Sequence, residues 1–396
     1  MKMRSFFMAG LFCAASCVSI KAQGVDAKSV SSILSSARQG SIVKLPGFLS
    51  TGFNEIEYKK VIQPGPQFII SDDPEYIKEP EAIVLEEHVQ PGSVRLYVYN
   101  VNGVIEPNKM DRKITAVIKN QGKENMSVRM LKYSSQPPSA NYFQIGKQGL
   151  ADFFNSEVTG EVRIVKPGEA IPIDKQLEKN IVKYDELVHG FYQFVVDQPA
   201  SVYVLQTSPG EKGEAALKRI KKLIPTSHMN AGRGLFPVCN YKITNPGHVV
   251  DTKSGVAQLI IADGNNDKWI QGTVGSAKEY AENAGNYGVF YDINLKWKST
   301  DGRGLALVTW NPRSADNKWC GAMAATMVLH SGKYKQGTIQ LPSDELVTKS
   351  DPEAVLIQVF EPGKSGEEQE IKFTYSPPGA SCLPTPLVLI PIDLNK

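Results

Sequence analysis

The chain has 396 residues, 41% of them hydrophobic, with 44 basic and 41 acidic side chains. Lys2, Arg4 and Lys21 fall within the first 22 residues, which contain no acid, so the remainder carries 41 charges of each sign. A neutral chain has no field to draw it to nucleic acid or to an anionic membrane, and this length is ample for two hydrophobic cores.

"MKMR" followed by "SFFMAGLFCAASCVSI" is a short positive region and an apolar run too short to span a bilayer, and Ala22 supplies a small residue at a cleavage point. Residues 1–22 therefore read as a secretory signal peptide, and the destination as extracellular or periplasmic. Cys17 in "AASC" is a loose lipid acceptor, but Val18, Ser19 and Ile20 continue the apolar run past it, which favours cleavage over lipid anchoring. No later segment is apolar enough to serve as a transmembrane segment.

Residues 23–64 form an N-terminal extension with one short helical pattern, "DAKSVSSILSSA". Between 65 and 208 come short strand patterns, among them "QFIIS", "AIVLEE", "RLYVYNV", "GFYQFVV" and "SVYVLQ". Two further strands within 113–133 flank "NQGKEN" and read as a hairpin. A helical insertion, "YFQIGKQGLADFFNS", interrupts them at 142–156. Residues 209–233 read as a helical linker whose cluster "LKRIKKL" suits a solvated face. From 234 to 396 strands resume, and in "NYGVFYDINLKW" Tyr287, Val289, Tyr291, Ile293, Leu295 and Trp297 share one face. Strands of this density and length, without regular alternation with long helices, predict an all-β protein of two antiparallel β-sandwich domains, immunoglobulin-like or jelly-roll-like.

Residues that could carry chemistry are sparse. The five histidines show no metal-ligand spacing, and no nucleophile elbow, phosphate loop or dinucleotide fingerprint is present. On a strand, Glu86, Glu87 and His88 point to alternate faces and build no acid–base pair. Three cysteines follow the leader, Cys239, Cys320 and Cys382, so at most one disulfide forms, expected between Cys239 and either Cys320 or Cys382. Cys320 in "KWCGAM" lacks the second cysteine of a redox motif, since Met323 stands there. Asp263, Asn265 and Asp267 alternate like the opening of a calcium loop, but Lys268 replaces the glycine and Val274 the closing acid. A hairpin turn explains the same residues without calcium. No other cofactor is implied. Trp269 and Trp319 neighbour polar loop residues and are the candidates for an exposed aromatic platform, whereas Trp297 is in phase with a core face.

"FIISDDPEYI", "RLYVYNVNG", "NYFQIGKQGLADFF", "SHMNAGRGLFP", "GNYGVFYDI", "WNPR" and "PPGASCLP" together resemble an uncharacterised group of secreted bacterial proteins with two β-rich domains. Some relatives in that group carry stalk domains named for the N-terminal region of copper amine oxidases. The resemblance spans 65–396 and implies export and a cell-surface or matrix location, with no established reaction. Copper does not carry over, since no copper-site constellation is present. The group's pattern holds other small residues where this chain has Cys239, Cys320 and Cys382. The expectation is thus a secreted, non-enzymatic protein of the cell envelope or extracellular matrix, acting by binding or as a structural component. The alternatives are a carbohydrate-binding module built on Trp269, Trp319 and the 263–267 turn, with a polysaccharide partner, or a cysteine-dependent enzyme.

Overall fold

The computed structural model describes residues 27–45, 47–49, 52–226, 232–310, 322–323, 325–342, 347–348 and 353–394. Residues 1–22, read from the sequence as a signal peptide, and Trp319 and Cys320 lie outside these residues. The fold is all-β, with four sheets of four or more strands among the described residues and helices confined to short segments. No described helix is long and apolar enough to cross a membrane.

Alternation along the strands explains the layering. In the strand Gly92–Asn102, Val94, Leu96 and Val98 enter one core, while Tyr97, Tyr99 and Val101 enter another. The first core lies between a nine-stranded sheet and a four-stranded sheet made of Ala170–Pro172, Lys113–Asn120, Ala200–Thr207 and Ala82–Val89. A second sandwich joins a seven-stranded sheet to a six-stranded one, with Ile293, Leu295, Trp297, Phe373 and Tyr375 facing Leu259, Leu307, Leu387 and Leu389. Trp297 is 1% exposed, as its phase predicts. Helix α1 (Ala27–Ser36) seals the outer face of the six-stranded sheet with Val30 and Leu34.

The two sandwiches are not separate bodies. The nine-stranded sheet runs through Val162–Val165, Met126–Ser135, Leu187–Val196, Gly92–Asn102 and Gln67–Ser71, then continues into Arg233–Phe236, Ile270–Val274 and Glu279–Asn283. Strands from both sides of the expected 209–233 linker thus share one hydrogen-bonded sheet. Nor is 23–64 a detached extension, because Ile42–Lys44 pairs with Glu353–Phe360 and Lys59–Ile62 with Asn240–Thr244. The sheets are mixed rather than purely antiparallel, with parallel pairing of Gln67–Ser71 to Gly92–Asn102 and of Asn240–Thr244 to Phe290–Lys298.

Two local expectations change. Lys113–Asn120 and Met126–Ser135 lie in different sheets, so "NQGKEN" arches between layers and is not a hairpin. Ile114, Ala116 and Ile118 meet Met126 and Val128 across the core, which buries both apolar faces where a flat hairpin would leave them side by side. The linker helix, α3, is short (Gly213–Arg219), and Ala216 and Ile220 pack with Val117, Tyr203 and Leu205 on the four-stranded sheet. The helix's Lys218 pairs with Glu169 and its Arg219 with Glu81 and Glu211, and Lys222 just beyond it pairs with Glu79.

Helix α2 (Tyr142–Asn155), capped by Asn141 Oδ1 accepting from Gln144 N at 3.2 Å, is held between the nine- and seven-stranded sheets. Gly146 and Gly149 permit this closeness, since a Cβ at Gly146 would collide with the Gly379 carbonyl and one at Gly149 with the His189 ring. Arg95 fastens the same seam: its guanidinium donates to Asn240 Oδ1 at 2.9 Å and Gln193 Oε1 at 3.1 Å, and lies 3.8 Å from the centre of the Phe290 ring.

Glu87, Glu86 and His88 point to alternate faces, as expected for neighbours on a strand. Glu86 accepts from Tyr203 OH at 3.0 Å, His88 Nδ1 lies 2.8 Å from Ser201 Oγ, and Glu87 accepts from Gly275 N at 2.8 Å. Glu87 is 2% exposed, and burial pushes its carboxyl up to about 7. A carboxyl raised in the folded state contributes stability below its unfolded value of 4.5 and loses it as pH rises through about 7. Glu87→Gln keeps the acceptor for Gly275 and removes the charge. The variant is expected to gain about 2–3 kcal/mol over the parent between about pH 5 and about pH 8, on the scale of 1.36 kcal/mol per pKa unit. Denaturant unfolding at the two pH values checks this, and an equal difference at both contradicts it.

Candidate functional site

Where the strand Gln67–Ser71 ends, the chain turns through Asp72 and Glu75 into a cleft of about 780 Å³. Tyr76 and Tyr99 line it from the first half of the chain, and Tyr142 and Phe143 from the first turn of α2. Asp263, Trp269, Tyr287 and the segment 380–384 line it from the second half. The cleft therefore depends on the shared sheet and on the seating of α2.

Its aromatic wall is fixed by hydrogen bonds. Tyr99 OH donates to Tyr142 O at 3.1 Å, Tyr142 OH donates to Asp185 Oδ1 at 3.0 Å, and Tyr76 OH lies 3.2 Å from Tyr142 OH. Trp269 Nε1 donates to Ala262 O at 3.2 Å. One side of this indole lies against Gly264, whose positive φ of 73° and missing Cβ allow the contact. Tyr287 OH donates to Ser381 O at 3.3 Å.

Charge in the cleft is one-sided. Asp72, Glu75 and Asp263 line it, and no Lys, Arg or His does so among the described residues. The Asp72 carboxyl is pushed well above the usual carboxylate range, first by burial and then by the charges of Glu75 and Asp73. Burial also raises Glu75, whose side chain keeps an exposed edge. In turn the Asp72 charge helps to raise Tyr97, Tyr99 and Tyr287, which places these hydroxyls in its field.

The sequence-derived candidates fare unequally. Trp269 and Asp263 line the cleft. Asp263 acts as a turn cap, its carboxylate accepting from the N–H groups of Asn265 at 3.0 Å, Asn266 at 3.3 Å and Asp267 at 2.8 Å. Asp267 is buried, ion-paired with Lys60, and accepts from Ala262 N at 2.6 Å and Tyr291 OH at 2.7 Å. Asn265 is exposed. These contacts fit the turn reading of the stretch, and no group of three or more His, Cys, Asp or Glu among the described residues is arranged to hold a metal ion. His88, His189 and His330 are dispersed over three sheets, and His189 is buried with Nδ1 2.9 Å from Val98 O. Asp72, Glu75 and the tyrosines were missed. The signal was present in "SDDPEY", a loop with three acids and no base directly after an apolar strand.

The cysteines correct the expected pairing. Cys239 is a free, buried thiol at the Arg95 seam, with Arg95 Nη1 3.5 Å from its sulfur, whereas Cys382, on the cleft wall, is disulfide-bonded. Burial raises the Cys239 thiol despite the guanidinium, the opposite of what a nucleophilic thiolate needs. On the sequence reading of residues 1–22 as a cleaved leader, which removes Cys13 and Cys17, Cys320 is the cysteine left to pair with Cys382. Non-reducing peptide mapping should therefore recover a Cys320–Cys382 cross-link, with Cys239 alkylated only after denaturation. A cross-linked Cys239 contradicts this.

No family model matches the chain, and no curated protein matches it. Among solved structures, it is similar to the CUB1-EGF-CUB2 domains of rat MASP-1, at 9% identity over 82% of this chain and 98% of that one, with a TM-score of 0.10. It is also similar to the corresponding human MASP-1/3 domains, at 8% identity over 74% and 99%, with a TM-score of 0.11. Scores this low carry no argument about architecture or function, and the all-β fold rests on the strands described above.

Proposed function

We propose that the protein is an exported, non-enzymatic binding protein of the cell envelope or matrix, and that it holds a saccharide in the cleft between the two halves of the chain. The observation that supports this reading is the aromatic wall, with Trp269, Tyr76, Tyr99, Tyr142, Phe143 and Tyr287 around one opening. Sugar rings offer apolar C–H faces that pack on such rings, and their hydroxyls need a few polar partners at the edge. Asp72, Glu75 and the Ser381 backbone provide these. The volume lies in the usual range for small-molecule sites, roughly 300–1,000 Å³. The site differs from the sequence expectation, built on Trp269, Trp319 and the 263–267 turn, in drawing on both halves of the chain.

Titration with cell-wall oligosaccharides, followed by tryptophan emission, tests the proposal. Among the described residues Trp269 is the tryptophan that lines the cleft, and Trp269→Ala separates its signal from that of the other three. A saturable shift is expected with at least one glycan, and Trp269→Ala should abolish it. No shift with any glycan would count against the reading.

A further inference from the structure

The cleft's charge singles out a class of saccharide. Asp72 and Glu75 make no side-chain hydrogen bond or ion pair with any described residue. Several surface acids do have partners, as Glu79 has Lys222, Glu161 has Lys175 and Glu361 has Lys333. What sets these two carboxyls apart is their place, together on the wall of the aromatic cleft with no cationic side chain among its described lining residues.

A neutral sugar closing over them would desolvate two carboxyl groups further and return only hydroxyl hydrogen bonds. An acidic sugar would add like charge. A cation reverses both effects: it compensates the carboxylates as water leaves, and it is attracted to the negative faces of the surrounding rings. The ring faces and the charge together describe an ammonium group carried on a sugar ring. Resting on the reading of the cleft as a saccharide site, we propose that its ligand is a cationic glycan, a run of hexosamine units with free amino groups, whose ammonium is received by Asp72 and Glu75 while a ring packs on Trp269 and the tyrosines. The carboxylates would then also exclude acidic polysaccharides.

Isothermal titration calorimetry on the leader-free chain, with a β-1,4-linked glucosamine tetramer, its fully N-acetylated counterpart and the linear diamine cadaverine, separates the possibilities. At a pH where the amines are charged, the glucosamine tetramer should bind at least about tenfold tighter than the acetylated one, with the preference shrinking as salt rises. Asp72→Asn and Glu75→Gln should each remove most of that preference, weakening the glucosamine tetramer far more than the acetylated one. Equal or tighter binding of the acetylated tetramer to the unaltered protein overturns the cationic inference and leaves the saccharide reading intact. Cadaverine binding as tightly as the glucosamine tetramer overturns the sugar half of the proposal. Failure of both tetramers to bind removes the saccharide reading itself. The tetramer comparison needs no variant, so it decides the matter even if Asp72→Asn does not fold.

Discussion

The strand Gln67–Ser71 is the constraint on which the structure depends. It pairs in parallel with Gly92–Asn102 on one side and antiparallel with Arg233–Phe236 on the other. Phe68, Ile69, Ile70 and Ser71 are all buried. Pulling the two halves of the chain apart would open a line of buried backbone hydrogen bonds and expose both faces of this strand, and neither loss has a partner to offset it. The pairing also fixes where the chain emerges. Asp72 N donates to Gly232 O at 2.7 Å, so the first cleft residue is tied to the segment that begins the second half. Six strands of one half, counting Tyr76–Ile77 beside Gly92–Asn102, and three of the other are thereby a single surface, with the cleft at its end.

Helix α2 converts that surface into a site. Its two notches let it lie close to the Gly379 backbone and the His189 ring, and Ile145, Leu150 and Phe153 bury into the large core. The buried Lys147 reaches across to Pro342 O at 2.8 Å, and Thr326 Oγ1 returns a hydrogen bond to Lys147 O at 2.7 Å, so the helix is anchored to the seven-stranded sheet by polar as well as apolar contacts. With the helix held from both sides, its first turn presents Tyr142 and Phe143 to the opening. Tyr142 is further held through Asp185 and Tyr99, which leaves the aromatic wall little freedom to lose on binding.

What could be read from the sequence was whatever depends on local periodicity. Tyr291, Ile293, Leu295 and Trp297 alternate into the core as their spacing predicts, and the insertion at 142–156 is a helix at Tyr142–Asn155. Pairing was less legible, because the same apolar alternation serves a hairpin or an arch, and only the position of the opposing sheet decides between them around "NQGKEN". The unity of the two halves could not be read, since Gln67–Ser71 and Arg233–Phe236 are far apart along the chain and nothing in either names the other. At the site, Trp269 and Asp263 were legible as an aromatic and an acid in a polar loop. Asp72 stands in the acid-rich "SDDPEY", whereas Tyr99, Tyr142 and Tyr287 each look ordinary in their own segments, and the topology alone gathers them. Cys239 looked like half of a cross-link by count, and burial beside Arg95 accounts for it differently.

If one sheet unites the chain, its halves cannot melt separately. Differential scanning calorimetry of the chain from residue 23 onward tests this most directly. The account predicts a single transition whose calorimetric and van't Hoff enthalpies agree, even though a chain of this length ordinarily divides into domains. Two resolved transitions would contradict it and would return the cleft to a loose junction between independent bodies.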